Sequence, residues 1–232
     1  MQATTESRQP RPFSYLAWAG AIALIVILGI TVAAITVRQM DLLYVENGPL
    51  ENMAMALWLL SAFAAAAAYR RWTGRLDRIM AFWVALIACL AALREADAQI
   101  LLNPAVIGRY GIHYRIDWLL DPETSILLKL AYAGLAILVV VAVFGPLYML
   151  RSRFWSLTRS GDASVGMLIM AVAGVVIGYT MDDLLRDSPL MTKAVRQLIE
   201  ESGEFLGAIA FLAGALLFWK APVSERLKIW KK

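Results

Sequence analysis

Long apolar runs separated by short polar stretches dominate this chain. Six of the runs, at 15–37, 50–69, 79–100, 126–150, 165–184 and 205–219, approach the length of a membrane-crossing helix, for which about 20 apolar residues suffice. The last run is short, but Ser188-Pro189 has the form of a cap followed by proline at the first helical position. Its helix is therefore expected to begin near Pro189. The segment 189–204 is amphipathic, with Leu190, Ala194 and Leu198 on one face and Lys193, Gln197, Glu200 and Glu204 on another. It reads as an outer helical extension of the sixth span. The first run is longer than a signal-peptide core of roughly 7–15 residues and no small-x-small site ends it, so it is retained as a span. The fold class is all-α, a single transmembrane domain over residues 1–232 built as a six-helix bundle.

Composition agrees with the pattern. The chain is 60% hydrophobic and its mean hydropathy is +0.64, which excludes an ordinary soluble domain. The net charge of +4 makes no case for nucleic-acid binding. One cysteine, Cys89, excludes an internal disulfide, and one histidine, His113, excludes histidine-rich zinc or haem chemistry.

The distribution of charge sets the expected orientation. Arg70, Arg71, Arg75 and Arg78 fall in one connection, Arg151, Arg153 and Arg159 in another, and Lys220, Arg226, Lys228, Lys231 and Lys232 follow the last span. The positive-inside rule then places both termini in the cytoplasm, as for a bacterial inner-membrane protein. Trp72, Trp155, Trp219 and Trp230 would form the cytoplasmic aromatic belt, with Trp58 and Trp83 deeper. The loop 101–125 is expected to lie at the outer interface. Gly174-x-x-x-Gly178, Gly203-x-x-x-Gly207 and the alanine run at 64–68 are expected to let helices approach closely.

With this orientation, only Glu6, Asp77, Asp162 and Glu225 share the side of the basic residues. The acids at the opposite helix ends are Glu46, Glu51, Glu95, Asp97, Asp182, Asp183, Glu200, Glu201 and Glu204. Some have a structural explanation. Gly48 can cap, Pro49 takes the first helical position and Glu51 the third, where the helix dipole and free N–H groups favour an acid. Glu95, Asp97, Asp182 and Asp183 stand at C-terminal ends, where the dipole disfavours them. Arg94 is expected to pair with Asp97, and Asp182 with Arg186, leaving Glu95 and Asp183 as the better evidence for a shared cation. Glu200 and Glu204, four apart, share a face; Glu201 is rotated about 100° away and is expected to serve a different neighbour. The candidate cation ligands are thus Glu46, Glu51, Glu95, Asp97, Asp182, Asp183, Glu200 and Glu204, and an all-oxygen set suits a hard divalent ion such as calcium or magnesium.

The opening Glu46-Asn47-Gly48-Pro49-Leu50-Glu51, with the later turns Leu93-Arg94-Glu95-Ala96-Asp97 and Glu200-Glu201-Ser202-Gly203-Glu204, resembles a family of small bacterial multi-pass inner-membrane proteins. That family opens a helix with Glu-Asp/Asn-Gly-x-x-Glu. The resemblance implies a membrane bundle and carries no activity. Glu46, Asn47, Glu51 and Asn52 are more remotely similar to the calcium site of the alkaline ceramidase group. That group needs several histidines for its zinc, and a single histidine rules out carrying its amidase chemistry over.

Three functions follow as expectations. The first is an outward-facing acidic cluster that binds a cation or small solute in transport or ion handling. No span carries a charge near its middle, which argues against a conventional proton-coupled carrier. The second is a metal-dependent enzyme acting on a lipid headgroup at the outer leaflet, without a recognised nucleophile–base motif. The third is an accessory or assembly subunit that meets a membrane-complex partner or a second copy of the chain. Membrane lipids are partners in all three.

Overall fold

A computed structural model describes residues 48–96, 121–159, 162–181 and 192–222. The described chain is helical, without a strand among the described residues. Five helices follow in order: α1 (Pro49–Arg71), α2 (Arg75–Glu95), α3 (Ile126–Arg159), α4 (Ala163–Tyr179) and α5 (Lys193–Lys220). Four of them, α1, α2, α3 and α5, are long and apolar enough to cross a membrane, as in a multi-pass integral membrane protein. The expected first span, the loop 101–120 and the basic tail from 223 lie outside the described residues.

The helices begin and end for local reasons. Gly48 caps α1 with extended backbone, and Pro49 occupies the first turn, where a missing N–H costs nothing. Asn52 donates from both its backbone N and its Nδ2 to the Gly48 carbonyl, at 3.1 and 2.9 Å. A three-residue turn, Trp72-Thr73-Gly74, joins α1 to α2. Asp162 caps α4 by accepting from Ser164 N at 3.0 Å, and Thr192 caps α5 by accepting from Val195 N at 3.3 Å. Before α3, the Asp121 carboxylate accepts from Glu123 N at 2.9 Å, and Lys129 Nζ donates to the Asp121 carbonyl at 2.8 Å.

One expected boundary changes. The third span is expected to reach residue 100, but α2 ends at Glu95, with the Ala96 N–H closing onto Ala92 O. The fifth is expected over 165–184; α4 covers Ala163–Tyr179, 17 residues, and is the shorter apolar helix of the set, with residues 182–184 outside the described residues. The sixth is a single helix from Lys193 to Lys220 with Thr192 as its cap, so the amphipathic extension and the span are continuous from residue 193.

Helix α5 is central. It packs along α4 on one side and α1 on the other, and α1 in turn packs along α2. The buried residues of α1 are Leu50, Ala54, Trp58, Ser61, Ala65 and Ala68, and those of α2 are Asp77, Ala81, Val84, Ala88, Ala92 and Glu95. Both series advance by steps of three or four, the spacing of near-parallel helix packing. Trp58 meets Phe211 of α5 with ring centroids 4.9 Å apart.

The α4–α5 seam is made of glycine. A Cβ on Gly174 would lie 2.5 Å from Gly203 O and 2.9 Å from the Gly207 backbone, and one on Gly203 would lie 2.9 Å from Gly174 O. The two glycine motifs found in the sequence thus pack against each other, and only glycine permits that approach. By contrast, α3 touches α2 and α4 sparsely, with Gly145 against Trp83. Much of α3 is exposed, including Leu127, Phe144 and Tyr148 at 75%, 62% and 74%. A helix apolar all round suits contact with lipid.

Candidate functional site

The N-terminal ends of α1 and α5 and the C-terminal ends of α2 and α4 meet at one end of the bundle. Carboxylates gather there. Glu51 stands in the first turn of α1, Arg94 and Glu95 in the last turn of α2, and Glu201 and Glu204 in the third turn of α5. Glu95 lies within electrostatic range of Glu51 and Glu204. Glu201 lies within range of Glu51, Glu95, Glu200 and Glu204.

Arg94 is the cation in direct contact. Its Nη2 donates to Glu204 Oε1 at 2.6 Å and its Nη1 to Glu95 Oε1 at 3.2 Å. One guanidinium thereby ties α2 to α5 across 110 residues of sequence. Arg94 keeps a third of its side chain exposed, whereas the Glu95 and Glu204 side chains are 4% and 7% exposed. A charge-assisted pair with both carboxylates withdrawn from solvent is stronger than a surface ion pair, and removing one partner leaves the other exposed to the full cost of burial.

Packing explains why these two acids are the buried ones. Glu95 continues the stripe Ala81, Val84, Ala88, Ala92 by one further step of three. Glu204 stands at the head of the buried stripe Ala208, Phe211, Ala215, Phe218, whose steps alternate four and three. Each acid is thus the terminal position of an inward-facing series. Glu204 needs room, and Gly178 of α4 supplies it. A Cβ there would lie 2.5 Å from Glu204 Cγ and 2.8 Å from Oε1. Glu201 lies one turn before Phe205, on the part of α5 that continues towards Phe211 and α1.

Against the expected set, the structure brings Glu51, Glu95 and Glu204 together, and Glu200 lies within range of Glu201. Glu46, Asp97, Asp182 and Asp183 lie outside the described residues. Two expectations are revised. Arg94 reaches Glu95 and Glu204, whereas its expected partner Asp97 lies outside the described residues. Glu95 therefore has a local partner. Glu201, set apart in the sequence by its rotation about α5, belongs to the group because α1 brings Glu51 to that face. The signal that marks Glu95 and Glu204 in the sequence is their phase with small and apolar residues, not their place at a helix end.

Among the described residues, no group of three or more Asp, Glu, His or Cys is arranged to hold a metal ion. The arrangement instead brings several carboxylates within range of one another, two of them sharing the Arg94 guanidinium. Such a group can accept hydrogen bonds from a cation or attract one by its excess of negative oxygens. Comparison with known proteins finds no match: no family model, no curated protein and no solved structure is significantly similar to this chain.

Proposed function

We propose that this chain is an integral inner-membrane protein whose acidic end faces outward and binds a cation in ion handling or transport. One observation carries the reading. Glu51, Glu95, Glu201 and Glu204, from three helices, lie within electrostatic range of one another, with the Arg94 guanidinium shared by Glu95 and Glu204. Two of them are almost fully buried, where opposite charge is worth more than in water. The excess of lysine and arginine at the other helix ends supports the outward direction. The described carboxylates are not spaced as a closed metal shell. The ligand that suits them is a cation held by hydrogen bonds and surplus charge: a hydrated ion or an organic ammonium group.

Thermal unfolding of the purified protein tests this. Sodium, calcium, magnesium and methylammonium are titrated at constant ionic strength against choline. A ligand at 100 times its Kd stabilises by about 2.7 kcal/mol. The expected result is a saturable stabilisation by at least one of these cations, lost in Glu201→Gln. Equal curves for every salt, or a full response in Glu201→Gln, would overturn the reading.

A further inference from the structure

The opposite end of the bundle carries a second charged feature, unrelated to the carboxylates. Arg70 and Arg71 end α1, and Arg75 and Arg78 lie in the first turns of α2, all four exposed. Two of them are held against aromatic rings. The Arg71 guanidinium lies 4.9 Å from the centroid of Trp72 and 5.6 Å from that of Trp219, which belongs to α5. The Arg78 guanidinium lies 4.5 Å from the Tyr69 centroid and donates from Nη2 to Tyr69 Oη at 3.0 Å. Two ring-backed guanidinium groups thus stand at this end of the bundle, Arg71 of α1 against α5 and Arg78 of α2 against α1.

We propose that this basic patch at the bundle end binds the phosphate headgroups of anionic phospholipids, with Arg71 and Arg78 as its principal donors. Four features support the assignment. Among the described residues, none of the four arginines makes an ion pair, in contrast to Arg94. The nearest acid, Asp77, is 2% exposed, and its Oδ2 is turned back towards Gly74 in the first turn of α2. It therefore leaves the face of the patch positive. A guanidinium stacked on a ring keeps its edge N–H groups available, and their planar fork matches two phosphate oxygens. Finally, Tyr69, Trp72 and Trp219 are the residue types that sit at headgroup depth, and Tyr69 and Trp219 are 38% and 40% exposed. Lys220, exposed beside Trp219, adds a further cation.

The proposal rests on the chain spanning a membrane and not on the cation reading. Lipid binding and salt response are measured separately, so either can fail alone. The experiment is native mass spectrometry of the full chain in nanodiscs of phosphatidylglycerol mixed equally with phosphatidylcholine, with helicity checked by circular dichroism. A basic residue near an anionic surface contributes about 1 kcal/mol, which is roughly fivefold in affinity. Wild-type protein is expected to retain phosphatidylglycerol over phosphatidylcholine, and Arg71→Gln with Arg78→Gln to lose about 25-fold of that preference. The control neutralises Arg151 and Arg159, two cations of α3, and is expected to lose several-fold less. Equal losses in the two double variants would mean diffuse surface charge and overturn the site. So would an absence of headgroup preference in the wild type, a readout that does not depend on any variant folding. Displacement of the lipid by millimolar inorganic phosphate would assign the patch to a free anion and overturn the lipid assignment.

Discussion

At one end of the bundle two acids are drawn inward against an arginine; at the other the arginines are held out. Glu95 and Glu204 are 7% and 6% exposed and share Arg94. Arg70, Arg71, Arg75 and Arg78 are exposed, and two of them rest on aromatic rings. The difference follows from what fills each end. Around Glu204 the neighbouring α4 offers glycine, so a carboxylate can lie between helices. At the basic end Leu157 and Phe218 are buried among Ala68, Ala81 and Val165, with Trp72, Leu76, Met80 and Phe154 packed against them. This apolar cluster draws on all five helices, and the four arginines lie outside it. A buried ion needs an ionic partner, whereas an exposed guanidinium needs only a surface to lie on. Among the described residues, Asp77 and Asp162 are the acids of the basic end, and both stand at helix N-termini, where the dipole favours them.

The contrast predicts a ranked series of substitutions. The largest effect is expected at Arg94. Arg94→Gln strands two buried carboxylates, at a cost of about 3 kcal/mol, the lower end of the range for a broken buried pair because Arg94 is itself part-exposed. Chemical denaturation in detergent measures it. In a double-mutant cycle with Glu204→Gln the two losses are expected to be less than additive, since the second change removes what the first left unpaired. Additive losses would mean that the link between α2 and α5 contributes nothing.

Gly174→Ala comes next. Its Cβ would lie 2.5 Å from a backbone oxygen and cannot be relieved by a rotamer, so α4 and α5 must part. The expected loss is about 1–3 kcal/mol, with weaker cation response if Glu204 moves away from Arg94. A stable Gly174→Ala protein with an unchanged response would separate the glycine seam from the acidic end. At the basic end, Arg71→Gln forfeits exposed ring contacts and is expected to cost only about 0.5–1 kcal/mol. A loss as large as that of Arg94→Gln would erase the distinction between the two ends. Smallest of all is Gly134→Ala on α3. Nothing lies within 4 Å of its Cβ, so the change is expected to be neutral or to stabilise by up to about 1 kcal/mol through helix propensity. The same denaturation assay checks it.

Much of this molecule is legible from the chain alone. Apolar runs of spanning length place α1, α2, α3 and α5, because a helix is the structure that satisfies its own backbone in lipid. Gly48-Pro49 marks the start of α1, and the paired glycine motifs mark the seam of α4 and α5. The separation of acids from arginines is equally a property of the sequence. What the sequence leaves open is rotation about each helix axis. Glu200, Glu201 and Glu204 are equally acidic and equally close to a helix end, and the sequence grouped Glu200 with Glu204. Tertiary packing turned Glu204 towards Arg94 and Gly178, and brought Glu51 within range of Glu201. Arg94 likewise reaches across to Glu204 of α5, a contact that spacing within its own helix does not reveal. Local spacing ranks partners only within one helix; a contact 110 residues away exists once glycine contacts and buried stripes have fixed which face each helix presents.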